Sequence, residues 1–143
     1  MSQENVDVVR ELLESFDARS HSYAFEVYDP DIEWDASRHP AIDLARVYRG
    51  HEGVREFWRG WLSAWETISF EIVDLVDAGD DVAAFIHQRN RGRATGIEVD
   101  VAPYALVFTF RQGKVIRWCI YSDIDEALEA VGLSQQDAPA DSS

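Results

Sequence analysis

Between Ser69 and Asp123 the chain carries four consecutive strand-like stretches joined by links too short to hold a helix. Ser69–Asp77 runs into the turn Ala78-Gly79-Asp80-Asp81, and Asp81–Asn90 into a loop around Gly92–Gly96. Ile97–Arg111 then reaches Gln112-Gly113, and Lys114–Asp123 follows. Parallel neighbours need crossovers of about a dozen residues, so links this short predict an antiparallel sheet. Alternation gives each strand two faces. In Asp81–Asn90 one set is Val82, Ala84, Ile86 and Gln88, and the other is Ala83, Phe85, His87 and Arg89.

A sheet of this kind needs apolar cover. Glu4–Ala18 presents Val6, Val9, Leu12, Leu13 and Phe16 at helical spacing. A second short helix is expected from Ser20, a good N-cap, through Tyr23, Ala24, Val27 and Tyr28, with Pro30 stopping it. Ile32-Glu33-Trp34 reads as a short strand, and Arg38–Tyr48 as irregular. A third helix opens at Gly50–Gly53 and carries Val54, Phe57, Trp58, Trp61, Leu62 and Trp65 on one wide face, which must bury against something large. A last helix, Glu126–Val131, is capped by Asp123 or Asp125 and ended by Gly132. The expected fold is α+β: a curved antiparallel sheet with helices on its concave side, forming a cone with a hollow end. One domain is expected over residues 1–133, followed by a disordered acidic tail, Ser134–Ser143, without bulky apolar residues.

Charge and composition exclude several functions. Thirteen basic against 27 acidic residues give a net charge of −14, which repels nucleic acid and anionic membranes. Arg89, Arg91 and Arg93 alternate with neutral residues, the pattern of a solvated or partner-facing strand edge. No apolar stretch approaches a membrane span, and the charged N-terminus is unlike a secretion signal. The single cysteine, Cys119, permits no internal disulfide, and a cytoplasmic location is expected. His21, His39, His51 and His87 lack ligand spacing, so no metal site is expected. No phosphate loop, dinucleotide fingerprint or nucleophile elbow is present, and no cofactor is expected.

Four motifs occur in a telling order: Asp29-Pro30-Asp31-Ile32-Glu33-Trp34; Val47-Tyr48-Arg49-Gly50-His51-Glu52-Gly53-Val54-Arg55-Glu56-Phe57; Thr109-Phe110-Arg111-Gln112-Gly113-Lys114-Val115; and Asp123-x-x-Glu126-Ala127-Leu128. Over about residues 4–133 the chain resembles the nuclear transport factor 2-like superfamily, in its bacterial SnoaL-like branch. The resemblance implies the cone fold, but that fold hosts isomerases, cyclases, epoxide hydrolases, dehydratases and non-enzymatic binders.

The related ketosteroid isomerases use a carboxylate base with a tyrosine and a protonated aspartic acid as oxyanion donors. An ungapped match places Leu12, Ala36 and Leu106 at those positions, and none of them can take a proton or donate a hydrogen bond. Asp35 would replace Ala36 only through a one-residue register slip. The epoxide hydrolases of the fold use an Asp–Arg–Asp arrangement, for which Arg89, Asp35 and Asp123 are the raw materials here. SnoaL-like cyclases use an aspartate, for which Asp123 is the nearest candidate, although a capping role suits it better. His39, near the expected pocket mouth, is the histidine to test as a general acid or base.

The resemblance turns the Val82 set inward, with Tyr104, Leu106 and Phe108, and with Trp118, Ile120 and Ser122 from the last strand. The expected pocket comprises Trp34, Tyr48, Trp58, Gln88, Tyr104, Leu106, Trp118 and Ser122: an aromatic cup with a few polar handles, suited to a small hydrophobic or aromatic molecule. Trp61, Trp65 and Phe108 read instead as core, while Trp34, Tyr48, Tyr104 and Trp118 fit either role. Ala83, Phe85, Cys119 and Tyr121 would leave an apolar patch on the convex face. A homodimer through that face is expected, with His87, Arg89 and Arg117 near the interface. Two functions follow: binding of a hydrophobic metabolite, or cofactor-free acid–base catalysis (isomerase, polyketide cyclase, epoxide hydrolase or dehydratase type) on one.

Overall fold

The computed structural model describes residues 2–14, 25–39 and 42–132. Its elements, in chain order, are α1 (Ser2–Glu14), a 3₁₀ turn (Phe25–Val27), β1 (Tyr28–Asp35), a second 3₁₀ turn (Ile42–Leu44), β2 (Val47–Arg49), α2 (Gly50–Leu62), β3 (Trp65–Ala78), β4 (Asp81–Gly92), β5 (Glu98–Arg111), β6 (Lys114–Tyr121) and α3 (Ile124–Ala130). The expected end of the first helix, the Ser20 cap with Tyr23 and Ala24, and the tail Ser134–Ser143 lie outside the described residues.

The six strands form one curved sheet in the order β2-β1-β6-β5-β4-β3. The hairpins β3–β4, β4–β5 and β5–β6 are antiparallel, as the short links require, whereas β1 lies parallel to β6 and makes the sheet mixed. Arg38–Tyr48 is less irregular than its composition suggests, because β2 pairs antiparallel with the end of β1, Trp34 opposite Tyr48. Register shifts between Ile72 and Asp74, between Ile86 and Gln88, and between Thr109 and Phe110 interrupt the ladders. Such bulges sharpen local twist and bend the sheet.

Val27 and Tyr28 correct the expectation of a second helix: Val27 ends a single 3₁₀ turn and Tyr28 already opens β1. Pro30 therefore lies inside a strand. It is tolerated because the β1–β6 register shifts between Tyr28 and Glu33, so its missing N–H interrupts no paired stretch. Trp65, expected on the α2 face, instead begins β3. Gly50 opens α2 with φ +70, and a Cβ there would lie 3.1 Å from the Pro30 carbonyl oxygen. This position thus needs both the left-handed backbone and the bare Cα that glycine offers.

Two apolar layers flank the sheet. On the concave face, Val9 and Leu13 of α1 and Val54, Phe57, Trp58 and Leu62 of α2 pack on Trp34, Leu106, Phe108, Phe110, Val115, Trp118 and Ile120. On the convex face, Ala127 and Leu128 of α3 cover Ala83, Phe85, Ala105, Val107, Cys119 and Tyr121. The last helix is therefore on the side opposite the other two. The convex apolar patch expected to be open is buried within one chain: Ala83 and Cys119 are 0% exposed, Phe85 2% and Tyr121 5%. Among the described residues no helix is long and apolar enough to cross a membrane.

Candidate functional site: an aromatic cavity in the cone

A cavity of about 310 Å³ lies between the concave face and the two helices. Leu12 and Leu13 of α1 and Phe57, Trp58 and Trp61 of α2 wall one side. Trp34, Phe70, Gln88, Val101, Tyr104, Leu106, Phe108, Trp118 and Ile120 rise from the sheet, with Tyr28, Arg38, His39, Pro103 and Ser122 completing the lining. Of the eight residues expected in the pocket, seven line this cavity: Trp34, Trp58, Gln88, Tyr104, Leu106, Trp118 and Ser122.

Tyr48 is the exception. Its side chain is buried away from the cavity and its hydroxyl donates to the Leu44 carbonyl at 3.0 Å, pinning the second 3₁₀ turn. Tyr48 shares the inward face with its partner Trp34, but β2, unrecognised in the sequence, is the edge strand of the sheet, and Tyr48 packs there against Phe57 beyond the cavity.

At the centre of the wall, Trp34 and Trp118 stack with ring centroids 4.1 Å apart and planes 4° from parallel. Their positions are paired in register across β1 and β6. Phe57 and Trp58 meet the Trp34 ring at 5.8 and 6.2 Å. Aromatic faces held this way bury large areas and fix one another in place.

The polar part of the wall is a side-chain string. The Tyr104 hydroxyl donates to Gln88 Oε1, and Gln88 Nε2 donates to Asn90 Oδ1 at 2.8 Å. Gln88 is 3% exposed and Asn90 fully buried. Burial pushes the Tyr104 phenol above its ordinary pKa, so it remains a neutral donor.

The three residues expected to carry chemistry separate. His39 lines the cavity, 8% exposed, with its ring edge-on to Trp61 at 4.5 Å and Phe57 at 5.6 Å. Asp35 is not in the cavity: Trp34 faces inward, so Asp35 faces the convex side, and the register slip that would bring it in does not occur. There it accepts from Arg117 Nη2 at 3.0 Å and from the Ser37 backbone N–H at 3.0 Å. Burial alone would raise its pKa, but the Ser37 hydrogen bonds and the Arg117 and Arg38 guanidiniums outweigh it and hold the carboxyl below its ordinary range. Asp123 is exposed and caps α3, accepting from the Asp125 N–H at 2.9 Å, as its sequence position suggests. Arg89 is also outside the cavity, paired with Asp100 at 2.9 Å, so the Asp–Arg–Asp set of an epoxide hydrolase does not assemble. Leu12 and Leu106 do line the cavity, as apolar wall in place of hydrogen-bonding groups.

Val101 and Phe70 were not singled out from the sequence. Strict alternation from Tyr104 points Val101 outward, but the bulge between the β4 and β5 registers brings it opposite Gln88 and into the wall. Pro103, within an otherwise strand-like run, was the available sign of that bulge. Among the described residues no group of three His, Cys, Asp or Glu is arranged to hold a metal ion.

A curved sheet closed by two helices over one aromatic cavity defines a nuclear transport factor 2-like domain, and solved structures agree. An NTF2-like protein of unknown function from Burkholderia pseudomallei superposes with a TM-score of 0.71 at 19% identity, covering 90% of this chain and 97% of that one. A candidate SnoaL-like polyketide cyclase from Jannaschia sp. CCS1 gives 0.71 at 18% identity, covering 96% and 94%. TerC, co-crystallised with polyporic acid, gives 0.69 at 19% identity, covering 90% and 98%. The family model of the SnoaL-like domain matches residues 9–118, and the chain belongs to that family. No curated protein matches it.

Proposed function

We propose that the protein binds a small hydrophobic or aromatic molecule in the cone cavity. The observation that carries this reading is the cavity itself: about 310 Å³ enclosed by stacked tryptophans and leucines, with one short polar string on the wall. Apolar walls with few, fixed polar groups are the usual composition of a ligand site. The co-crystallisation of TerC with polyporic acid supports it as a fold-level analogy.

Calorimetric titration with polyporic acid and, separately, with 8-anilinonaphthalene-1-sulfonate tests the reading. Saturable one-to-one binding is expected for at least one of them. Leu12→Trp, which adds a ring at the half-buried wall of α1, should weaken that binding by roughly tenfold or more. Absence of saturable binding by both compounds overturns the reading.

A second reading, cofactor-free acid–base catalysis on such a molecule, is favoured by one observation: the His39 imidazole is on the cavity wall. In that case His39→Ala abolishes turnover of a bound compound while leaving its affinity within about threefold.

A further inference from the structure

Among the described residues, the buried side-chain polar atoms without a hydrogen-bond partner are Trp34 Nε1, Trp65 Nε1 and Asn90 Nδ2. All three are donors. Trp34 is on the cavity wall, and Asn90 is the inner end of the string that begins at Tyr104. The wall therefore holds a surplus of N–H groups and no orphaned acceptor. A buried group in that state is costly, and a partner that relieves it gains accordingly.

The string can run in either direction. As it stands, Tyr104 gives its one proton to Gln88, Gln88 gives one to Asn90, and the last N–H pair has nowhere to go. The oxygen and nitrogen of a carboxamide are nearly equal in size. Turning both amides by half a rotation therefore leaves the heavy atoms in place and reverses every bond. Asn90 Nδ2 then donates to Gln88, Gln88 Nε2 donates to the Tyr104 oxygen, the Tyr104 O–H is released, and Asn90 Oδ1 takes the unpartnered place that Nδ2 held, a carbonyl being the more tolerable of the two to leave unpaired. In a largely apolar cavity that proton needs an acceptor, which an occupant can supply.

We propose that the ligand presents a hydrogen-bond acceptor, a carbonyl-type oxygen on an apolar ring system, to the Tyr104 hydroxyl, and that the Gln88–Asn90 amide pair reverses to receive it. The proposal rests on the reading of the cavity as a ligand site, and adds the sign of its polar preference. Tyr104 is the contact, and Gln88 and Asn90 are positioning residues that determine whether its proton points inward or at the ligand.

Three tricyclic probes of nearly one shape isolate that sign: 9-fluorenone carries an acceptor, carbazole a donor and fluorene neither. Affinities measured by equilibrium dialysis should rank fluorenone above fluorene by roughly five- to tenfold, the yield of one buried hydrogen bond, with carbazole no tighter than fluorene. The infrared carbonyl band of bound fluorenone should move to lower frequency. Tyr104→Phe should bring fluorenone and fluorene to equal affinity and remove the band shift. Gln88→Met leaves the Tyr104 proton without its inner acceptor and should retain the preference, an outcome that does not depend on Tyr104→Phe folding. Equal binding of fluorenone and fluorene, or a preference for carbazole, overturns the proposal while leaving the cavity reading intact. Binding of none of the three overturns both.

Discussion

Trp34 and Asp35 are adjacent on β1 and point to opposite faces of one strand. Trp34 is 1% exposed and stacks in the cavity wall, while Asp35 is 8% exposed and is held by Arg117 and Ser37 on the other side. The pleat alone imposes this division. Asp35 therefore contributes to the fold as an anion, and its sign with pH follows. Its folded pKa lies below the unfolded value of about 3.9, so its contribution is fully present above that value and is lost as pH falls through the folded pKa. Asp35→Asn should lower stability at pH 7 and make less difference below about pH 4. Urea unfolding of both proteins at the two pH values measures this. A deficit that stays constant down to about pH 2 would show that the charge of Asp35 is not what stabilises.

At the scale of elements, α3 has the most consequences for its length. It has seven residues, too few to persist alone, so it depends on its cap and on Ala127 and Leu128 against the convex face. Leu128→Ala should cost about 2–4 kcal/mol by urea unfolding, because its methyl groups fill space between helix and sheet. Asp123→Ala should cost about 1 kcal/mol, the value of a lost N-cap, with no change in ligand affinity. A large loss of affinity in Asp123→Ala would return that aspartate to the site. The hairpins from Ser69 onward and the division of β4 into the Val82–Gln88 and Ala83–Arg89 sets were legible in the sequence, because period-two alternation and short turns are local signals, whereas the resemblance assigned the inward face to the Val82 set. The side on which α3 packs was not, since an amphipathic helix of two turns fits either face and only the tertiary arrangement decides. Val101 was missed for a related reason: a bulge shifts parity by one residue, and its sign, Pro103, gives the interruption without its direction. Tyr48 was misplaced because β2 has three residues and pairs only with the end of β1.

For the molecule as a whole, the burial of Ala83, Phe85, Cys119 and Tyr121 under α3 changes what a homodimer must be made of. With the apolar patch covered, what the convex side of β3, β4 and β5 offers a second copy is a strip of charge pairs: His87 with Glu71, Arg89 with Asp100 and Arg91 with Glu98. These side chains are largely solvent-exposed, and such pairs contribute little within a single chain. Opposed across a two-fold axis, the same strip is self-complementary, since each cation finds an anion of the partner copy. The net charge of −14 per chain opposes pairing, so in a dimer built on this strip the Arg side chains would have to supply the attraction. Arg89→Asp should therefore be severe, because it removes a cation and adds an anion beside Asp100. Sedimentation at micromolar concentration is expected to give a dimer for the wild type and a monomer for Arg89→Asp. A wild type that sediments as a monomer overturns pairing through this face and leaves the cone, with its cavity, as the working unit.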